Sequence, residues 1–332
     1  FIKIYSIDPL PRLLNTTSLM LINSGLIFVG LFFLYYGGEL LVTGSLRLAQ
    51  SFKISPFIIG ATVIGFGTST PELAVSLMAS LQDSGDLALG NVIGSNITNI
   101  GLVLGLTALI VPLTIEKQRF IDESPPLIIT SLIIVVFAWN NYLGRTEGFI
   151  MICLLVIYLW RAFQTKEKTD LNLSEDHLFS EYGGSSFQTL LVILGIIMLI
   201  LGANWMVEGA TGIARKLGVS EWFIGVSIVA LGTSLPELIS SLIAAKKGHG
   251  EMAIGNVFGS NIFNILMVIG TTSLVQPLSI GEEIYTDLIY TTALTCLLLL
   301  LIGMGNVISK RDGIILIVCY GAYVGLKGTG LL

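Results

Sequence analysis

The sequence predicts an all-α polytopic membrane protein of about ten transmembrane helices, arranged as two inverted five-helix repeats with proline-broken helices at the centre. Three observations predict this fold. Of the 332 residues, 53% are hydrophobic and only 12% are charged, and the mean hydropathy is +0.86, which is too apolar for a soluble domain of this length. Apolar stretches long enough to cross a bilayer core of roughly 30 Å recur along the chain. Two sequence motifs also occur twice, at one fixed offset.

Ten apolar segments are the predicted spans. They cover residues 19–43, 56–81, 88–111, 126–142 and 147–163 in the first half, and 187–208, 222–245, 252–275, 285–305 and 312–327 in the second. A polar stretch rich in Lys, Asp and Glu separates the two halves. The predicted division is therefore a tail over 1–18, a first repeat over 19–163, a connecting loop over 164–186 and a second repeat over 187–332.

The internal repeat rests on two pairs of motifs. GFGTSTPEL at 65–73 returns as ALGTSLPEL at 230–238, and GNVIGSNITNIG at 90–101 returns as GNVFGSNIFNIL at 255–266. Both pairs are 165 residues apart, which indicates a duplicated unit. Since each unit holds five predicted spans, an odd number, the second copy must enter the membrane from the opposite side. Inverted units with helix-breaking residues at matching positions are typical of secondary transporters with a midplane site.

The distribution of basic residues predicts the orientation. With the N-terminus outside, eleven Lys and Arg residues fall in the cytoplasmic connections and six on the outer side, which follows the positive-inside tendency. We therefore expect both termini outside and the 164–186 loop inside.

Composition and cysteine usage exclude several classes of protein. The net charge is -5 and no basic block is present, so nucleic-acid binding is not expected. Cys153, Cys296 and Cys319 are isolated within apolar runs, without a CxxC or a Cys/His cluster. Neither a disulfide framework nor a zinc site is predicted.

Glu72 and Glu237 are the most informative residues. Each lies in the middle of an apolar span that contains no Lys or Arg. An ionised carboxylate at the bilayer centre costs about 2.5–3.5 kcal/mol on insertion scales, so acids at this depth are functional by default. The alternative is a protonated carboxyl that only packs helices, and duplication of the acid in both repeats disfavours it.

A proline precedes each of these acids. Pro71 and Pro236 lack the amide hydrogen that would bond the carbonyl four residues earlier, and broken backbone at this depth is expected where it lines a cavity. A proline kink also occurs in membrane helices for structural reasons alone. Hydroxyl side chains stand beside the two breaks: Thr68, Ser69, Thr233 and Ser234.

The third and eighth spans carry a polar stripe. Its members follow at every fourth residue and therefore share one helix face. They are Asn91, Ser95 and Asn99 in the first repeat, and Asn256, Ser260 and Asn264 in the second. The alternative reading of the stripe is hydrogen bonding between helices, and for the neighbouring glycines close helix packing is favoured.

These groups are all oxygen ligands, which suit hard cations such as Ca²⁺ and Na⁺ and disfavour zinc or copper. Two carboxylates match the charge of one Ca²⁺, and monovalent ions or protons competing for them would produce exchange. An enzyme is not predicted: a hydrolase using Ser69 or Ser234 needs a general base, and neither span contains His or Lys.

The motif pairs GTSTPEL with GNVIGSNITNI and GTSLPEL with GNVFGSNIFNI resemble the two α-repeats of the calcium/cation antiporter superfamily, in particular its prokaryotic sodium/calcium exchanger family. The resemblance implies antiport of Ca²⁺ against Na⁺ by alternating access, with Glu72 and Glu237 as central ligands. It also implies that the first and sixth spans slide against the other eight. By motif position, the remaining ligands are Thr68, Ser69, Ser95, Asn99, Thr233, Ser234, Ser260, Asn264 and the backbone carbonyls of Gly65 and Ala230.

The resemblance further implies a prokaryotic plasma (inner) membrane, with Ca²⁺, Na⁺ and the lipid bilayer as partners and no cofactor. Asn264 departs from potassium-dependent members, which carry aspartate there, so K⁺ co-transport is not expected. The main alternative is a proton/calcium exchanger that uses the same carboxylates. A Ca²⁺ channel is disfavoured because inverted repeats around one enclosed site suit alternating access, and a structural scaffold would transport no ion.

Overall fold

The computed structural model describes residues 16–164, 184–219 and 230–329, and these residues are predominantly helical. The helices in chain order are α1 (Thr16–Phe52), α2 (Pro56–Thr68), α3 (Thr70–Ser80), α4 (Gly85–Ile110), α5 (Lys117–Phe137), α6 (Arg145–Gln164), α7 (Ser185–Lys216), α8 (Ala230–Thr233), α9 (Leu235–Lys246), α10 (Gly250–Val275), α11 (Glu282–Gly303) and α12 (Lys310–Gly328). Four strands of two residues join them: β1 (Leu113–Thr114), β2 (Tyr142–Leu143), β3 (Leu278–Ser279) and β4 (Val307–Ile308). The predicted all-α class is confirmed, apart from these short strands.

Long apolar helices confirm the polytopic membrane fold. Within the described ranges, seven helices are long and apolar enough to cross a membrane, and α2 with α3 forms an eighth candidate that is bent by 41°. The predicted total of about ten spans stays a prediction, since residues 220–229 of the seventh span lie outside the described residues. Most of the tail and of the connecting loop also lies outside them.

The predicted breaks in the second and seventh spans are present. Ser69 separates α2 from α3 and Ser234 separates α8 from α9, both with ψ near zero. Each helix then restarts with its proline in the first turn, where the missing amide hydrogen costs no helical hydrogen bond. The motif sequence therefore ends one helix and begins the next around a serine.

In the described ranges, three π-helical segments interrupt the helices, and the sequence analysis did not predict them. Gly60–Ile64 lies in α2, Asn99–Leu104 in α4 and Asn264–Ile269 in α10. The last two are 165 residues apart, like the motifs. Single π turns inside α-helices occur frequently at functional sites. The segments in α4 and α10 each begin at an asparagine of the predicted polar stripe.

The strand pairs follow the repeat offset. Leu113 pairs with Ile308 in the β1–β4 sheet, and Leu143 pairs with Leu278 in the β2–β3 sheet. Leu113 and Leu278 occupy equivalent positions, 165 residues apart, and so do Leu143 and Ile308. Each sheet therefore pairs residues whose equivalents in the other repeat pair in the other sheet. They lie at opposite ends of α5.

Helices α1 and α7 pack along a seam of glycines. A Cβ atom at Gly30 would lie 2.7 Å from the carbonyl oxygen of Gly202, and one at Gly37 would lie 3.0 Å from that of Gly195. Glycine is needed here because the two backbones approach more closely than any side chain permits.

The structure extends two predicted segments. Helix α5 begins at Lys117, nine residues before the predicted span, and continues through Pro125 and Pro126. Helix α1 runs to Phe52, beyond the predicted end of the first span. Glu39, which lies in this helix, pairs with Lys247 at 2.8 Å. Hydropathy marked only the apolar part of each helix, because charged turns lower the average without ending the helix.

Candidate functional site

The two central carboxylates lie at equivalent places in the broken helices. Glu72 is in the first turn of α3 and Glu237 is in the first turn of α9, and both side chains are completely buried. The N-terminal end of a helix carries a partial positive charge that favours a carboxylate. The break at each serine thus places this favourable helix end beside an acid in the interior of the protein.

The two carboxylates differ in their surroundings. Oε1 of Glu72 accepts a hydrogen bond from the hydroxyl of Ser95 at 3.4 Å. Neither carboxylate oxygen of Glu237 has a hydrogen-bond partner within the described part of the chain. The two acids are close enough to interact electrostatically, which is unfavourable when both are ionised and no cation lies between them.

Hydroxyl groups from the first repeat contact the polar stripe of the second. The hydroxyl of Thr68 lies 3.2 Å from that of Ser260 and 3.4 Å from Oδ1 of Asn256. Ser69 donates to the backbone carbonyl of Ser260 at 3.5 Å. These contacts hold the end of α2 against α10.

Asn91 and Asn256 support the backbone that carries the acids. Asn91 directs its amide NH₂ group to the carbonyl of Glu72 at 3.4 Å and to Ser76 at 2.9 Å. Asn256 makes the equivalent contacts with the carbonyl of Glu237 at 3.3 Å and with Ser241 at 2.9 Å. Both amide nitrogens are thus used in holding the broken helices in place.

Four asparagines connect the repeats beside this support, and sequence reasoning missed two of them, Asn96 and Asn261. Asn99 donates its amide group to Oδ1 of Asn261 at 3.4 Å, and Asn264 donates to Oδ1 of Asn96 at 3.0 Å. Both missed residues occur in the repeated GSN sequence. They fall one position off the stripe through Ser95 and Ser260, so the four-residue spacing did not identify them.

Six buried oxygen atoms in this region have no hydrogen-bond partner among the described residues. They are Oε2 of Glu72, both carboxylate oxygens of Glu237, Oδ1 of Asn99, Oδ1 of Asn264 and Oγ of Ser234. Leaving a buried polar atom unpaired is costly. Nδ2 of Asn261 is a nitrogen without a partner in the same region. The unpaired oxygen atoms, which include those of two carboxylates, have the chemistry that Ca²⁺ and Na⁺ require.

The remaining predicted ligands lie on the same helices. Thr233 ends α8 and borders two cavities. The carbonyl of Gly65 accepts from the backbone amide of Ser69 at 3.1 Å and from the hydroxyl of Thr68 at 3.5 Å. Ala230 begins α8. The structure therefore brings together the backbone elements of both repeats that carry the predicted site.

Two cavities reach the site. The larger has a volume of about 260 Å³ and is lined by residues of α4, α8 and α12, including Ser95, Thr233 and Lys327. The smaller holds about 20 Å³ between the two broken helices and α7, and its lining includes Pro71, Pro236 and Thr233. An ion in the larger cavity would contact Ser95, whose hydroxyl bonds Glu72.

Comparisons with known proteins cover nearly the whole chain. The profile of the family described as "Sodium/calcium exchanger protein" matches residues 22–164 and 187–328. The chain is 36% identical over 322 residues to the putative antiporter CaxA of Alkalimonas amylolytica, covering 92% of this chain and 98% of that protein. It is 30% identical over 344 residues to the sodium/calcium exchanger MaX1 of Methanosarcina acetivorans, covering 91% and 97%. A solved structure of the sodium-calcium exchanger NCX_Mj, soaked with zero Na⁺ and Ca²⁺, has a TM-score of 0.81 and 34% identity, covering 92% and 99%.

Proposed function

Because the chain belongs to the sodium/calcium exchanger protein family, and is an integral membrane antiporter rather than an enzyme, we propose that it exchanges Ca²⁺ for Na⁺ at one site around Glu72 and Glu237. The transported ions are its substrates and no cofactor takes part. The ions reach the site from the two sides of the membrane in turn, by alternating access.

The set of unpaired buried oxygens carries this proposal. Two carboxylates supply the charge that one Ca²⁺ neutralises, and the amide and hydroxyl oxygens supply neutral ligands. Na⁺ prefers the same kind of ligand, so Na⁺ ions binding to the shared carboxylates displace Ca²⁺. Emptying the site would leave two acids repelling each other in the protein interior, and this disfavours crossing without a cation.

Alternating access is supported by the arrangement of the repeats. The exchange of the two short sheets under the 165-residue offset is what a two-fold relation between inverted repeats produces. In one arrangement, the larger cavity gives access to Ser95 from the α4 side. The glycine seam packs α1 and α7 closely against each other, so the two helices slide together as a pair against the other helices in the transition to the other arrangement.

The experiment that tests the function is ⁴⁵Ca²⁺ uptake into proteoliposomes that contain the purified protein. Vesicles are preloaded with Na⁺, and outward Na⁺, H⁺ and K⁺ gradients are compared. We expect uptake with the Na⁺ gradient alone, and at least a hundredfold loss in Glu72→Gln and in Glu237→Gln, since each removes a charge that the ion requires. Glu116→Gln serves as the control, because Glu116 is exposed and its side chain lies away from the site.

Other outcomes contradict the proposal in distinct ways. Uptake that follows the pH gradient would assign the counter-ion to protons. Rapid downhill Ca²⁺ flux without any counter-ion would indicate a channel. Full activity in both glutamine variants would remove the carboxylates from the mechanism.

We also propose that the protein lies in a prokaryotic inner membrane with both termini outside. Single cysteines placed at Lys53 and at Asn141, in a background lacking the three native cysteines, test this orientation. In intact cells a membrane-impermeant maleimide is expected to label position 141 and to spare position 53. The reverse pattern would invert the orientation.

A further inference from the structure

The four asparagines between the repeats form a chain of hydrogen bonds with one fixed end. Asn96 donates its amide NH₂ group to the backbone carbonyl of Asn261 at 3.3 Å. Its Oδ1 atom accepts from the amide NH₂ group of Asn264 at 3.0 Å. All the residues concerned are buried.

The backbone carbonyl determines the orientation of the whole chain. A carbonyl oxygen only accepts hydrogen bonds, so Asn96 must present its nitrogen to Asn261 and its oxygen to Asn264. Asn264 must then donate this hydrogen bond from its amide nitrogen. Its own oxygen is consequently turned away from Asn96, and this oxygen is one of the six buried oxygens without a partner among the described residues.

The freed oxygen lies on the side of α10 that faces the site. Asn264 follows Ser260 by four residues and shares its helix face, and Ser260 contacts Thr68. The π segment that begins at Asn264 packs against α3, which carries Glu72. The unpaired amide oxygen of Asn264 therefore points away from the asparagine that holds its nitrogen, on a segment that packs against the helix carrying Glu72.

The equivalent chain in the other direction has no fixed end. Asn99 donates to Oδ1 of Asn261, but Nδ2 of Asn261 has no hydrogen-bond partner within the described residues. Among the residues that the structure describes, no backbone carbonyl sets the orientation of Asn261 or, through it, that of Asn99.

We propose that Asn96 is a positioning residue for ion binding: through its bond to the backbone of Asn261, it turns the amide oxygen of Asn264 toward the transported cation. This inference rests on the proposed function of the site. If Asn264 rotated by half a turn, its NH₂ group, which carries partial positive charge, would face the cation. Asn96 prevents that rotation and touches no ion itself.

The first test compares Asn96→Ala with the wild-type protein in Ca²⁺ binding, measured by calorimetry on purified protein, and in ⁴⁵Ca²⁺ uptake. We expect about a tenfold rise in the Ca²⁺ concentration for half-saturation, the loss typical of one interaction with a charged group, and a maximal rate that stays within twofold. Thr107→Ala is the matched control. Thr107 is also buried in α4, but its hydroxyl bonds only the carbonyl of Val103 in its own helix, so wild-type binding is expected.

The second test separates orientation from general packing. In an Asn264→Asp background both side-chain atoms at position 264 are oxygens, so rotation no longer changes what faces the ion. Asn96→Ala is expected not to weaken Ca²⁺ binding in that background, because Oδ1 of Asn96 there faces a carboxylate that donates no hydrogen bond. An equal loss in both backgrounds, or wild-type binding in the single variant, would overturn the inference. Absence of Na⁺-driven uptake in the wild-type protein would instead overturn the proposed function, while the binding comparison would still decide the role of Asn96.

Discussion

Helices α4 and α10 carry the same motif in the two repeats, yet they lie in different surroundings. The most apolar window of α10 is completely buried, whereas 72% of the corresponding window of α4 is buried. Gly94 of α4 borders the larger cavity, and an added Cβ there would meet no described atom within 4 Å. At the equivalent Gly259, an added Cβ would overlap the backbone of Ala61.

The difference extends to the serines that follow these glycines. Ser95 bonds the carboxylate of Glu72, while the equivalent Ser260 contacts Thr68. Equal local sequences thus form equal helices and equal π segments, but the packing across the helix decides what each side chain meets. Two copies of one motif thus place equivalent side chains against different partners among the described residues.

The largest expected effect concerns the glycines. Gly259→Ala forces a methyl group into a backbone carbonyl that cannot move aside, and overpacking of this kind costs about 1–3 kcal/mol or more. We expect Gly259→Ala to lower the thermal unfolding temperature in detergent by several degrees or to prevent folding, and Gly321→Ala to leave it unchanged.

Equal destabilisation of the two alanine variants would contradict this comparison. Gly321→Ala is a suitable control, because this glycine lies in α12 and an added Cβ there meets no described atom within 4 Å. It controls for the effect of adding a methyl group to a transmembrane helix as such.

The sequence predicted the helices, their breaks and the helices that carry the site because these follow from local patterns. Pro71 and Pro236 mark the breaks, and the intramembrane acids Glu72 and Glu237 mark the site. Their inverted arrangement stays a prediction, because it depends on an odd number of spans in each repeat. All of these are readable from composition and spacing.

The sequence could not predict features that arise from contacts between distant segments. The roles of Asn96 and Asn261 depend on which residue of the other repeat lies opposite. The close contact at Gly259 depends on the position of α2. Charged and proline-containing turns also concealed the first residues of α5, because hydropathy reports lipid exposure rather than helix length.

Substitution of the two equivalent serines is expected to have an effect of intermediate size, on Ca²⁺ affinity. Ser95→Ala removes the hydroxyl donor to Glu72, and hydrogen bonds to charged groups contribute about 1.5–3 kcal/mol. We expect Ca²⁺ binding to weaken by roughly tenfold on that scale. Ser260→Ala removes a contact between two hydroxyl groups, so a loss of about threefold or less is expected from a neutral hydrogen bond.

Calorimetric titration of both variants with Ca²⁺ measures this difference. Ser95→Thr retains the hydroxyl and is expected to recover most of the affinity. A greater loss in Ser260→Ala than in Ser95→Ala would show that the arrangement which binds Ca²⁺ is the one with the roles of the repeats exchanged.

The smallest effect belongs to an ion pair that only one repeat possesses. Lys247, at the end of α9, lies 2.8 Å from Glu39 and 3.1 Å from the hydroxyl of Thr43, both in α1. The equivalent position in the first repeat is Gln82, which carries no charge. The ion pair therefore connects α1 to α9 of the second repeat. In the first repeat, the uncharged Gln82 cannot form an equivalent ion pair with α7.

Lys247→Gln makes the two repeats alike at this point. Partly exposed ion pairs contribute about 0.2–1 kcal/mol, so we expect the unfolding temperature to fall by one or two degrees, on the order expected for such an energy. The difference from wild type should shrink as salt is raised, because salt screens exposed charges. The exchanged pair Glu39→Lys with Lys247→Glu is expected to restore the lost stability at low salt. A loss that is independent of salt, or that the exchanged pair fails to restore, would mean that Lys247 contributes through the packing of its stem rather than through its charge.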